Sequence, residues 1–393
     1  MKVALVAPPY HSHEVGVGRS VRELAHGVSR AGGRVEVLAH LPEAVRASAA
    51  DHGLRVRHFR ASGSAGYATS HAIWSHLRRS GDAYDLVHAH GYLTLPAVLA
   101  ARGLFGRLVF SPRHDGVPRS RLGQRGVSPY RQLGRTALAS ADLVVCSTHG
   151  EAAEIGRLIP ALAPRVRIVS NGIDAAAIAA ARPFTAKRRV IVSVGRADGG
   201  GRADRAISAL PALGDGYELV VIGSGGARRR LQACARDLLV SDRVRILDRV
   251  SEGLLHSWLR TASVVLALSP ADADGVTMME AACVGVPVIA TDTQAHREVA
   301  QLIDDAAVRL LSSRTSPLVI ADEIARTAEM RMSPLSALAV PSLSDAADQT
   351  VSLYSALLDD RLGSHATSLA ATPTKDQGSD SEPSGPRLLR GTR

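Results

Sequence analysis

Aromatic side chains are scarce in this chain: Phe, Trp and Tyr together supply 3% of its 393 residues. With so few, and with no nucleic-acid-binding motif, a DNA or RNA partner is not expected despite a formal net charge of +10. Cysteine is rarer still. Cys146, Cys234 and Cys283 lie far apart without metal-ligand spacing, and Cys146 and Cys283 sit in apolar runs where reduced thiols are commonly buried. A reducing cytoplasm is the expected setting. No apolar run reaches the ~18 residues of a membrane span. The opening MKVALVAPP reads as a strand halted by prolines, not as a signal peptide.

What is present is 46% hydrophobic residue content, rich in Ala, Val and Leu, over a length that allows two domains with substantial cores. The positive charge then fits an anionic membrane or a phosphorylated substrate. Short β-branched runs alternate with helical patterns. In the first half strands are expected at 3–7, 35–39, 56–59, 86–90, 108–111, 143–147 and 166–170. In the second half they are expected at 190–195, 219–223, 244–247, 264–269, 286–291 and 308–311. This alternation implies two doubly wound α/β domains with parallel sheets. The turn signal Asn171-Gly172 and an alanine-rich stretch place the boundary near 171–187, giving domains of 1–175 and 186–344. A last helix is expected at 346–358, packing back on the first domain, and 363–393 has the Ser, Thr, Gly and Pro content of a disordered tail.

The richest stretch is 269–292, SPADADGVTMMEAACVGVPVIATD, which reads as strand end, glycine loop, short helix, glycine stop and second strand. In open α/β sheets, ligands sit where such loops meet helix N-termini. Asp272 and Glu280 would offer carboxylates there beside backbone N–H groups, a layout suited to a sugar nucleotide. A plainer account is available for Glu280, because Thr277 lies three residues earlier and the two have capping-box spacing. In the N-terminal loop Gly16 and Gly18 precede a helix with Val21, Leu24 and Val28 on one face, and glycine there lets backbone approach a phosphate. Arg196, just past a strand's carboxyl end, could clamp a diphosphate with its planar donors, and Arg202 could add a second charge. His88 and His90 end one strand and His114 follows the next. Arg113, Arg119, Arg121, Arg125, Arg131 and Arg135 form a basic segment suited to an anionic acceptor or a membrane surface.

Taken in order, GVGRSVRELA (16–25), DLVHAHG (85–91), ADLVVCS (141–147), NGID (171–174), VIGSG (221–225) and EAACVGVP (280–287) resemble the retaining GT-B glycosyltransferases of family 4. The likeness runs over about residues 1–360. It implies two Rossmann-like domains facing a cleft, with Glu280 on the ribose hydroxyls and Arg196 on the diphosphate. The loop residues Ala273, Asp274, Gly275, Val276 and Thr277 would contact the donor sugar through backbone N–H groups, and Gly16 would approach the diphosphate from the first domain. His114 matches a histidine near the acceptor and the transferred sugar. Asp272, His114 and Arg196 are thus the expected catalytic set, with His90, Arg113 and Arg119 on the acceptor side.

Two positions depart from the family pattern. Asp272 replaces the first of a glutamate pair, and the family lysine falls at Gly201, with Arg202 beside it. Asp272 and Asp274 have metal-clamp spacing but occupy the glutamate-motif position, so no metal and no cofactor is implied. The expected partners are a nucleotide-sugar donor and a small-molecule, lipid-linked or glycan acceptor from a specialised-metabolite or cell-envelope pathway. The expected place is the cytoplasm, with peripheral contact at the inner face of the membrane as one option. A catalytically weakened partner of another transferase, and a GT-B epimerase or hydrolase, are the rival readings.

Overall fold

The computed structural model describes residues 1–7, 17–41, 53–60, 69–91, 94, 98, 101–112, 138–195, 202–223, 227–248, 250–269, 275–303, 308–330, 332–334 and 340–359. The first domain contains β1 (Lys2–Val6), α1 (Val17–Arg30), β2 (Arg34–Leu41), β3 (Val56–Arg60), α2 (Thr69–Ser80), β4 (Leu86–His90), β5 (Arg107–Ser111), β6 (Leu143–Cys146), α3 (His149–Leu158) and β7 (Val166–Ile168). The short α4 (Ala175–Ala180) then leads into β8 (Arg189–Val194), α5 (Ala203–Ala209), β9 (Tyr217–Ile222), α6 (Arg228–Asp237), β10 (Val244–Leu247) and α7 (Glu252–Thr261). The second domain continues with β11 (Val264–Ala267), α8 (Val276–Ala282), β12 (Val288–Thr291), α9 (Gln294–Ile303), β13 (Val308–Leu311) and α10 (Pro317–Thr327), and α11 (Leu343–Leu358) follows.

The first sheet has seven strands in the order β3-β2-β1-β4-β5-β6-β7, and the second has six in the order β10-β9-β8-β11-β12-β13. Every pairing is parallel. Both orders reverse direction once, between β1 and β4 and between β8 and β11, which places a crevice at the carboxyl ends of those central strands. The central strands read as nearly continuous apolar runs because both faces are covered, whereas the edge strand β3 carries Arg57 and His58. Val3 and Leu5 face a core shared with Val21, Val28, Val351 and Tyr354, whereas Ala4 and Val6 face Ile73 and Leu77.

The chain crosses between the domains at two neighbouring points. The Ile173 amide donates to the Pro341 carbonyl at 3.0 Å, and Ile173 forms a parallel bridge with Ser342. Gly172 is needed there because a Cβ would stand 2.1 Å from the Ser342 carbonyl oxygen. Past this crossing α11 lies against α1, with Gly27 close to Ala347 and Tyr354 fully buried among first-domain residues.

Several boundaries differ from the sequence reading. α1 begins at Val17 and takes Gly18 into its first turn. β12 begins at Val288, because Pro287 has no N–H to give a ladder and contributes only its carbonyl, to Val265. α11 begins at Leu343, where Ser342 and Asp345 close a capping box three residues ahead of the expected start. Residues 363–393 lie outside the described residues.

Candidate active site

The second sheet's crevice is framed by the segments after β8 and β11. Of the residues singled out there, Gly275, Val276, Thr277, Glu280 and Arg202 are described; Arg196, Asp272, Ala273 and Asp274 are not, nor are Gly16, Arg113, His114 and Arg119 of the first domain. Gly275 is the N-cap of α8 with φ +58°, a left-handed conformation, and a Cβ on it would meet Val299 Cγ2 at 2.7 Å. Both the backbone and the packing therefore demand glycine. α8 is immersed in the core through Met278, Met279, Ala281 and Ala282, so Glu280 is carried inside with them and is 1% exposed.

Thr277 is not the cap of this helix, so the capping-box account of Glu280 is set aside. Glu280 turns instead toward the other domain. Its Oε1 accepts from Arg19 Nη1 of α1 at 3.2 Å, with Arg19 itself 5% exposed. Burial pushes the Glu280 carboxyl up to about 7; the Arg19 charge opposes the shift without cancelling it, and Glu252 adds to it. Glu252 stands in the first turn of α7, where Ser251 caps the helix, and it pairs with Arg22 Nη2 at 3.2 Å. Buried His256, one turn further along α7, is held below the usual imidazole range by desolvation and then by Arg19. The cleft wall is thus two arginines from α1 set against two glutamates from the second domain.

Arg202 lies on the segment after β8 that frames the crevice. It holds φ 53° at the start of α5, and its Nε lies 3.7 Å from Asp204 on the same helix. In the first domain, His90 is buried at the end of β4 and packs on His88, with ring centroids 3.9 Å apart. His88 is fixed in turn by Tyr354 of α11 through Nδ1 and by Ser111 Oγ at 2.9 Å through Nε2. A cavity of about 50 Å³ lies beside these residues, lined also by Ser20, Ser147 and Asn171. A second tie crosses the cleft where the Glu298 carboxylate of α9 accepts from the His149 and Gly150 amides at 2.7 and 2.6 Å. Among the described residues no cluster of His, Cys, Asp and Glu could hold a metal ion, and no helix is long and apolar enough to cross a membrane.

Arg19, Glu252, His256 and Glu298 were not anticipated from sequence. Arg19 lies inside the 16–25 motif, but a helical arginine gives no sign of which domain it faces. Ser251-Glu252 explains itself as a helix start.

Comparison with known proteins supplies the family. The model described as Glycosyltransferase Family 4 matches residues 15–177, and that described as Glycosyl transferases group 1 matches 174–334. A D-inositol 3-phosphate glycosyltransferase of Xylanimonas cellulosilytica is 28% identical over 347 residues, spanning 78% of this chain and 82% of that protein. The D-inositol 3-phosphate glycosyltransferase 1 of Catenulispora acidiphila is 31% identical over 239 residues, spanning 54% of this chain and 57% of the relative. Among solved structures, sucrose-phosphate synthase from Thermosynechococcus elongatus superposes with a TM-score of 0.71 at 18% identity, covering 92% of this chain and 97% of that one. Anabaena HepE in complex with UDP and glucose gives 0.63 at 17% identity, covering 92% and 98%. With two parallel Rossmann-like domains and the two family models matched in succession over residues 15–334, the chain belongs to the GT-B glycosyltransferases of family 4, the glycosyl transferases group 1.

Proposed function

We propose that this glycosyltransferase moves a sugar, with retention of anomeric configuration, from a nucleoside diphosphate sugar to a hydroxyl of an anionic acceptor, a phosphorylated polyol being the class that fits best. The observation that carries the donor half is Glu280: a carboxylate 1% exposed, at the crevice of the second sheet, held by a single arginine. Such a group suits paired ribose hydroxyls, which can replace the arginine as donors. The acceptor half is supported by the basic segment 113–135 and by the naming of relatives for an inositol phosphate substrate.

In the reaction the acceptor oxygen bonds to the anomeric carbon on the face from which the diphosphate leaves. The carbon–oxygen bond to phosphate breaks with its electron pair on the diphosphate, and the acceptor proton passes to that phosphate. Arg196, with Arg202, would stabilise the charge that builds on the leaving group. Asp272 and His114 would orient the transferred sugar, and His90 and Arg113 with Arg119 the acceptor. No metal or other cofactor enters this scheme. Closure of the domains excludes water from the reacting sugar. Cytoplasmic placement, with peripheral membrane contact, belongs to the same proposal.

The test is calorimetric titration of the protein and its Glu280→Ala variant with UDP, GDP, ADP and dTDP. Selective binding to one of them, lost in the variant, is expected. Failure of the folded protein to bind any would end the donor-site reading. Donor turnover is then compared with myo-inositol phosphate and with myo-inositol; equal use of both would remove the anionic acceptor. The anomeric coupling constant of the product reports retention or inversion.

A further inference from the structure

Arg19 is buried with much of its hydrogen-bonding capacity unused. Nη1 is spent on Glu280, while Nε and Nη2 have no hydrogen-bond partner among the described residues. Those two nitrogens form one edge of the guanidinium, the side-on fork that receives two oxygens of a carboxylate or phosphate at once. Burying such donors unpaired costs free energy that a purely structural arginine would avoid by bonding them. The nearest carboxylate to this edge is Glu252, whose Oε1 is 3.7 Å from Nε, an ion-pair distance that is too long for a hydrogen bond. Glu252 is engaged by Arg22 at 3.2 Å and so leaves the fork open. His256 completes this wall of the cleft as a buried imidazole whose Nε2 also lacks a partner among the described residues.

We infer that Arg19 is a donor-binding residue supplied by the first domain, whose Nε/Nη2 edge takes two oxygens of the donor's diphosphate while Glu280 takes the ribose. The inference rests on the donor-site reading of Glu280. Geometry favours a phosphate over a further hydroxyl. A side-on guanidinium edge offers two parallel donors and no acceptor, and the group attached to a ribose that presents two oxygens from one centre is its phosphate. In the empty protein the same arginine neutralises Glu280. When the donor enters, Glu280 exchanges Arg19 for ribose hydroxyls and Arg19 exchanges Glu280 for phosphate, so the two buried charges are never stranded together. Donor occupancy is thereby joined to approach of the two domains, because one ligand touches a side chain from each.

The experiment compares a nucleoside diphosphate with its own nucleoside. Whichever of UDP, GDP, ADP or dTDP binds the unaltered protein is titrated beside uridine, guanosine, adenosine or thymidine, into the parent, Arg19→Gln, Arg19→Lys, Glu280→Gln and Glu298→Gln. If Arg19 holds phosphate, Arg19→Gln lowers diphosphate affinity by about ten- to a hundredfold and leaves nucleoside affinity within a few fold. Arg19→Lys keeps the charge without the fork and falls between. Glu280→Gln weakens both ligands alike, because both carry the same pentose. An unchanged ratio of diphosphate to nucleoside affinity in Arg19→Gln would overturn the inference and leave Arg19 as a counter-ion only. An equal fall in that ratio in Glu298→Gln would overturn it too, because that variant loosens the domains without touching Arg19. Absence of nucleotide binding by the parent protein would instead bring down the donor-site reading itself.

Discussion

Arg19 Nη1 and Glu280 Oε1, 261 positions apart in the chain, meet at 3.2 Å across the cleft, and this pair joins the first helix to the most deeply buried acid of the second domain. Burial outweighs the attraction, so the Glu280 carboxyl titrates at about 7 against an ordinary value of 4.5. The native state therefore keeps a proton that the unfolded chain has already lost. The associated stability is full below pH 4.5 and declines as pH rises through about 7, by roughly 3 kcal/mol at 1.36 kcal/mol per unit. Glu280→Gln removes this titration. Its melting temperature relative to the parent should therefore rise between pH 4.5 and pH 7.5, whatever constant offset comes from leaving Arg19 without a carboxylate. Thermal melts of both proteins at several pH values measure this, and a difference that stays flat with pH would show that Glu280 is ionised throughout.

Gly275 offers a second test, because two separable costs attach to any side chain there. A left-handed backbone costs an alanine about 1 kcal/mol, and overlap with Val299 in a packed core costs about 1–3 kcal/mol more. Gly275→Ala should lose the sum in chemical denaturation and weaken nucleotide binding by displacing the first turn of α8. Adding Val299→Ala should relieve the steric part only. A cycle completed with Val299→Ala alone that shows no favourable coupling would mean that the Cβ contact at 2.7 Å is not what limits the position.

The sequence made the architecture legible because parallel strands buried on both faces are written as short apolar runs, and all 13 expected runs became strands. Strand ends were less legible. Hydrophobicity continues past the point where the strand stops, as at Val169 after β7 and Leu268 after β11. Glu280 could be placed at the crevice from its motif, but the partner that holds it could not. Arg19, Arg22 and Glu252 are ordinary charges on helix surfaces until two domains are brought face to face, and no local pattern encodes that meeting. The capping-box spacing at Thr277 misled for a related reason. Gly275 already caps α8 in a left-handed conformation, so the helix starts one residue before Thr277, and the carboxylate is free to reach across the cleft.

Tyr354 ties the C-terminal helix to the buried histidines of β4. Its buried hydroxyl meets His88 Nδ1, and His88 both bonds Ser111 and stacks on His90. Tyr354→Phe keeps the ring and its packing but removes the hydroxyl, taking that partner from a buried imidazole. The expected loss is about 1–3 kcal/mol in urea denaturation. Because His90 rests on His88, acceptor KM should rise while affinity for nucleoside diphosphate stays constant. A variant as stable as the parent would show that the His88–Tyr354 contact contributes nothing beyond ring packing.

Glu298 provides the tie between domains that lies away from the Arg19 cluster. Its two oxygens receive the His149 and Gly150 amides at the first turn of α3, where unpaired backbone donors and the helix dipole favour a negative charge. Gln at this position keeps one acceptor oxygen but gives up the charge and one of the two bonds. The tie should weaken by about 1–2 kcal/mol, on the scale of a charge-assisted hydrogen bond. Both cross-domain ties are made by side chains on rigid helices, whereas the covalent crossings at Gly172 and Ser342 lie side by side and leave rotation about one line unopposed. Loss of the Glu298 charge should therefore open the cleft rather than unfold either domain. Small-angle X-ray scattering of nucleotide-free Glu298→Gln should show a larger radius of gyration than the parent, with circular dichroism unchanged. Saturating nucleoside diphosphate should return it toward the parent value, because a donor held as proposed would bridge the domains through Glu280 and the first-domain residues opposite it. Identical scattering of the two free proteins would mean that the Arg19 and Arg22 pairs hold the cleft closed without help from Glu298.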